Sequence, residues 1–107
     1  MTTFDKRKDA CENKFAHDAQ LRFKAEARRN KLLGLWAAGL LGKTGDEAET
    51  YAKSVVAADF DEAGDEDVFR KVRADFDTAG IEQSDHQIRR TMDELMQTAM
   101  EQIAKEA

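Results

Sequence analysis

The chain has 107 residues, about the length of one small domain, with 36% charged residues, 41% hydrophobic residues and a net charge of -5. Seventeen alanines stand against seven valines and isoleucines combined, and there is no proline; that balance favours helix, because Ala loses no side-chain entropy there and β-branched residues do. The longest mostly apolar stretch, Leu32 to Leu41, is far short of the ~20 residues a bilayer span needs, and the lone Cys11 excludes an intramolecular disulfide, so all-β, membrane-spanning and secreted classes fall away.

Residues 1–18 come first. Met1 to Asp9 is polar and mixed in charge, without the apolar core of a secretory leader. On a helical wheel Phe4, Lys8, Cys11 and Phe15 form a stripe only about 60° wide. Everything around it is polar, and an isolated helix of ~16 residues is marginal in water. Two readings stand. In one, the segment is a nascent helix that orders when a groove accepts its stripe. In the other, it extends the first bundle helix and packs Phe15 and Leu21 on the core.

The next segment carries Arg22, Lys24, Arg28, Arg29, Lys31 and Lys43 against Glu26 alone. From Leu32 onward its apolar residues (Leu33, Leu35, Trp36, Ala37, Ala38, Leu40, Leu41) point in nearly every direction, which predicts a helix surrounded by others. Gly34 and Gly39 each cost roughly 1 kcal/mol inside a helix; close approach of a neighbour would explain them, and at Gly39 fraying of the helix is the alternative. Gly42 is a stop. Thr44-Gly45-Asp46-Glu47 reads as a capping box that opens the second helix, with Ala48, Tyr51, Ala52, Val55, Val56 and Ala58 on its apolar face. A break at Ala63-Gly64 precedes Asp65-Glu66-Asp67, three charges suited to a helix N-terminus. The third helix then offers Val68, Phe69, Val72, Phe76 and Ala79 on one face. After Gly80, Ser84-Asp85-His86-Gln87 is a second capping box. The last helix lines up Ile88, Met92, Leu95, Met96, Ala99 and Ile103 on a stripe roughly 100° wide. The reading is all-α: a four-helix bundle over 19–107 and a mobile or nascent-helical arm over 1–18.

Charge is uneven along the chain, basic over 21–43 and strongly acidic beyond it. Packing of a basic helix beside acidic ones uses that asymmetry. A nucleic-acid surface does not follow, since no aromatics interleave the basic residues and the acidic remainder repels phosphate. Catalytic patterns fail one by one. Gly42-Lys43-Thr44 ends like a phosphate-binding loop, yet Ala37 stands where the pattern needs glycine and no strand precedes it. His17 and His86 lack metal-ligand spacing. The acidic runs lack calcium-loop spacing. Ser54 and Ser84 have no base arrangement. Cys11 reads as a small hydrophobe, Trp36 as core, and Met92, Met96 and Met100 as mainly core. An enzyme is not expected.

Asn13-Lys14-Phe15-Ala16-His17-Asp18, then the run Phe23-Lys24-Ala25-Glu26-Ala27-Arg28-Arg29-Asn30-Lys31-Leu32-Leu33-Gly34-Leu35-Trp36-Ala37-Ala38, is long and specific. Gly42-Lys43-Thr44-Gly45-Asp46 and Gly64-Asp65-Glu66-Asp67-Val68-Phe69-Arg70-Lys71-Val72 follow it. Together these resemble the zeta-subunit family, the inhibitor subunit of alphaproteobacterial F-type ATP synthases. The resemblance covers almost the whole chain and weakens after Ile81. It implies a regulatory inhibitor whose N-terminal helix enters a catalytic interface of the soluble head and blocks ATP hydrolysis more than synthesis. The partners implied are the catalytic and rotor subunits. The location implied is cytoplasmic, peripheral to the inner membrane through the synthase, with the free protein a monomer. By position the partner-binding residues are Phe4, Arg7, Lys8, Cys11, Lys14 and Phe15. Cys11 stands where a bulkier apolar side chain is expected, a loss of roughly 1–2 kcal/mol of anchoring area. No cofactor is expected beyond weak adenine-nucleotide binding on the bundle; a small adenine-nucleotide-sensing module is the competing reading.

Overall fold

The structure is a computed structural model that describes residues 19–59 and 65–106. Those residues form four helices: α1 (Ala19–Leu40), α2 (Asp46–Ala58), α3 (Glu66–Ala79) and α4 (Asp85–Glu106). The arm over 1–18 lies outside the described residues, and so does the break at Ala63-Gly64. Helix α1 meets each of the other three, most extensively α2 and α4, whereas α2 and α4 do not meet. The central place expected for α1 is therefore observed. It is not surrounded to its end: Leu33, Ala37 and Ala38 are buried, but Gly39 and Leu40 are exposed.

The core joins Leu33 and Ala37 of α1, Val55 of α2, Val68, Phe69, Val72 and Phe76 of α3, and Ile88 and Met92 of α4. Trp36 packs against this cluster, edge-on to Phe76 with ring centroids 5.7 Å apart and planes at 72°, a geometry the ring quadrupoles favour. The expected apolar faces of α2, α3 and α4 are the ones turned inward, with one exception. Ala79 is exposed, because the chain already turns away from the bundle there.

That turn is a Schellman motif. Gly80 takes φ +71°, its N–H donates to Asp77 O, and the Ile81 N–H donates to Phe76 O at 2.9 Å. Gly42, at φ +78°, closes α1 the same way, with Lys43 N–H on Ala38 O at 2.9 Å. The box before α4 forms as read: Ser84 Oγ accepts from Gln87 N–H and Gln87 Oε1 accepts from Ser84 N–H, both at 3.1 Å. The box before α2 does not. Gly45 takes the cap position at φ +55° without a side-chain hydrogen bond, and only the Thr44 carbonyl is used, accepting from Glu47 N–H. Asp46, Glu47 and Glu49 still place negative charge at the positive end of the α2 dipole.

Gly34 answers to a close helix crossing. A Cβ at Gly34 would lie 2.6 Å from Ala52 Cα on α2, and α2 can approach this far only because that Cβ is missing. Nothing lies within 4 Å of a Cβ at Gly39, so the close-approach explanation holds for Gly34 and not for Gly39.

The expected pairing of the basic helix with acidic elements is partly realised. Arg28 of α1 reaches Gln102 (2.7 Å) and Glu106 (2.9 Å) of α4, and the 3% exposed Arg29 reaches Asp65 at 2.7 Å, at the start of α3. Arg29 Nε also donates to Asn30 Oδ1, while Asn30 Nδ2 and Asp67 Oδ2 are buried without a hydrogen-bond partner among the described residues. Between α3 and α4, the Arg73 guanidinium bridges Asp77 (2.8 Å), Asp85 (3.1 Å) and the Gln83 carbonyl.

Candidate functional site

The partner-binding residues expected from the sequence, Phe4, Arg7, Lys8, Cys11, Lys14 and Phe15, lie outside the described residues, as does His17. What the structure describes is the start of α1, which follows them in the chain. Among residues 20–24 none is buried; Ala25 is the first buried side chain of α1, and Phe23 is 57% exposed. Helix α4 ends at Glu106, beside Arg28. His86 is exposed in the first turn of α4, as its position implied, and no group of three or more His, Cys, Asp or Glu among the described residues could hold a metal ion.

On the packed body, polar chemistry converges where α2, α3 and the turn after α1 meet. Tyr51 is half-buried on α2; its hydroxyl donates to Asp75 Oδ2 on α3 at 2.7 Å. Lys71, one turn before Asp75, donates to the same oxygen at 3.2 Å and lies 5.3 Å from the Tyr51 ring centroid, a cation-π arrangement. Burial pushes the Tyr51 phenol above its ordinary range, and the hydrogen bond to Asp75 and that carboxylate's charge push the same way; the hydroxyl stays a donor. Two adjoining concavities of about 400 and 390 Å³ flank this group and share Lys43 and Tyr51. Lys43 forms no ion pair among the described residues, and the carboxylates of Asp46, Glu47 and Asp75 line the concavities with it.

Sequence reading placed Tyr51 on the apolar face of α2 and missed its polar partners. The signal available was the Lys71–Asp75 spacing of four on α3, a pair that meets on one helix face. Elsewhere, Arg89 of α4 stacks on the Phe69 ring at 4.0 Å and holds the Glu66 carboxyl below its usual range, first by hydrogen bonding and then by charge. That pair is structural: it ties α3 to α4 and leaves no group poised for proton transfer.

The sequence profile of a family described as ATPase inhibitor subunit zeta matches residues 1–102. The chain is also similar to a protein solved in solution by NMR, at 52% identity and a TM-score of 0.72, over 81% of this chain and 99% of that one. No curated protein matches. No helix among the described residues is long and apolar enough to cross a membrane.

Proposed function

The chain belongs to the ATPase inhibitor subunit zeta family, a non-catalytic role, and on that premise we propose that residues 1–18 are the inhibitory element and the helical bundle is its mount. The observation that carries this reading is the extent of the family match, which begins at residue 1 and so includes the arm together with the bundle. In this reading the arm enters a catalytic interface of the soluble head as a helix. Phe4, Cys11 and Phe15 bury the narrow apolar stripe, while Arg7, Lys8 and Lys14 meet acidic or nucleotide-proximal groups. A helix wedged between subunits resists the domain closure that hydrolysis requires. Direction selectivity follows where one sense of rotor rotation tightens the groove on the wedge and the other opens it. The partners are then the catalytic and rotor subunits, and the chain sits at the cytoplasmic face of the inner membrane through the synthase.

All the buried side chains among the described residues lie between Ala25 and Ile103, which supports residues 19–107 folding without the arm. ATP hydrolysis by the cognate head tests the proposal: the full chain inhibits, and the 19–107 fragment does not.

A second reading rests on the cleft beside Tyr51. Lys43 and the Tyr51 ring would meet a phosphate and a planar base, against the carboxylates of Asp46, Glu47 and Asp75 that line the same concavities, so adenine-nucleotide binding there would be weak. Titration of the full chain with ATP, followed by amide chemical shifts, should move Lys43, Tyr51 and Asp75 most. Shifts spread elsewhere, with those three unmoved, reject the cleft as the site.

A further inference from the structure

A surface on the opposite edge of α2 bears no relation to the cleft. Phe23, Ala27 and Lys31 succeed one another at intervals of four along α1, so they form one ridge on the helix. The ridge leads from the 57% exposed Phe23, through the half-buried Ala27, to Lys31 at the edge of a concavity of about 230 Å³ between α1 and α2. Val56, Lys53 and Glu49 of α2 line the other wall. Lys31 and Lys53 are exposed, as is Lys24 one turn and three residues earlier, and none of the three forms an ion pair among the described residues. Every other arginine or lysine on α1 that is described, Arg22, Arg28 and Arg29, has a carboxylate partner. The charge asymmetry of the sequence is thus cancelled internally over part of α1 and left unspent on this face, where Glu49 is the one acidic residue that lines the concavity among the described residues.

We propose that this face is a second docking surface, on the helix that follows residues 1–18 in the chain, for an acidic protein segment that carries an apolar ridge. Phe23 and Val56 supply the apolar floor, and Lys24, Lys31 and Lys53 are the cations that meet its carboxylates. Charge complementarity selects this partner: a chain of net charge -5 keeps three unpaired lysines around one apolar strip, and an acidic segment neutralises them. The proposal rests on the inhibitor reading above and places the segment on the synthase head, beside the groove that takes residues 1–18. The surface fixes where the bundle sits once the arm has entered, and electrostatic attraction speeds the encounter.

Binding of the full chain to the purified soluble head, measured across a range of salt concentrations, tests it with the K31E/K53E and Phe23→Ser variants. Both variants change exposed side chains, and thermal unfolding in the same series separates a loss of binding from a loss of stability. The charge reversal is expected to weaken binding about tenfold at low salt and to flatten the salt dependence, as for charges at the rim of an interface. Phe23→Ser is expected to weaken it about fivefold with the salt dependence retained, by loss of a buried aromatic anchor. Wild-type inhibition with both variants binding unchanged overturns this surface and leaves the inhibitor reading standing. Variants that alter only self-association of the free chain overturn it in favour of a second copy as occupant. A wild-type chain that neither binds nor inhibits the head overturns the inhibitor reading and this proposal with it.

Discussion

Gly34→Ala should destabilise the fold by about 2 kcal/mol, although alanine is the better helix former by roughly 1 kcal/mol. The new Cβ would lie 2.6 Å from Ala52 Cα, 3.1 Å from Ala52 Cβ and 3.3 Å from a Val55 methyl. The nearest of these is backbone, which cannot swing aside as a side chain would. Helix α2 must therefore move away from α1 along its most extensive contact, and the buried Ala52 and Val55 lose packing. In a domain of this size such a loss corresponds to a fall in Tm of roughly 8–16 °C. Gly39→Ala supplies the control on the same helix. Its Cβ meets nothing within 4 Å, so only the backbone effect remains, and the variant should be more stable by about 0.5–1 kcal/mol. Thermal unfolding followed by circular dichroism checks both; equal signs for the two substitutions would contradict the close crossing.

The second large effect is expected at Arg29 and Asp65, and it is asymmetric. Arg29 is 3% exposed, whereas its partner Asp65 has a side chain 56% exposed and sits at the N-cap of α3. Removing the carboxylate in Asp65→Ala leaves a buried guanidinium whose one remaining hydrogen-bond partner among the described residues is Asn30 Oδ1. An unpaired buried charge costs about 3–5 kcal/mol in general; solvent reaches the Asp65 side of this pair, which brings the expectation to about 2 kcal/mol. Removing the cation instead, in Arg29→Met, leaves an exposed aspartate that water solvates, and a thioether of similar length fills the space. The remaining cost is the Asn30 Oδ1 acceptor, so Arg29→Met should fall within about 1 kcal/mol of the wild type. Denaturant unfolding of both variants reads the difference directly. A larger loss for Arg29→Met than for Asp65→Ala would mean that the guanidinium contributes through contacts other than this pair.

These two sites also mark how far the sequence could be read. The helix count, the stops at Gly42 and Gly80 and the reciprocal cap at Ser84 and Gln87 were legible, because each depends on local geometry within one turn of chain. The apolar faces of α3 and α4 were legible from their period. The cap at Thr44 failed as a local reading because Gly45, able to take φ +55°, holds the cap position and displaces the hydroxyl from its role. Arg29 and Asn30 gave no warning of burial. In sequence they continue a basic run, and their environment is set by Asp65, 36 residues away, which only the tertiary packing brings to them. Tyr51 and Asp75 share that history across α2 and α3. The arm's stripe was legible, but its residues lie outside the described part of the chain, and the family match rather than geometry supports their role.

The measurement that bears most directly on the arm-and-mount account is the pair of ATP hydrolysis and ATP synthesis rates of the cognate synthase, each titrated with the full chain and with residues 19–107. The account predicts that the full chain suppresses hydrolysis well before synthesis and that the fragment suppresses neither. Equal suppression by the fragment would contradict it, because the inhibitory element would then lie on the bundle.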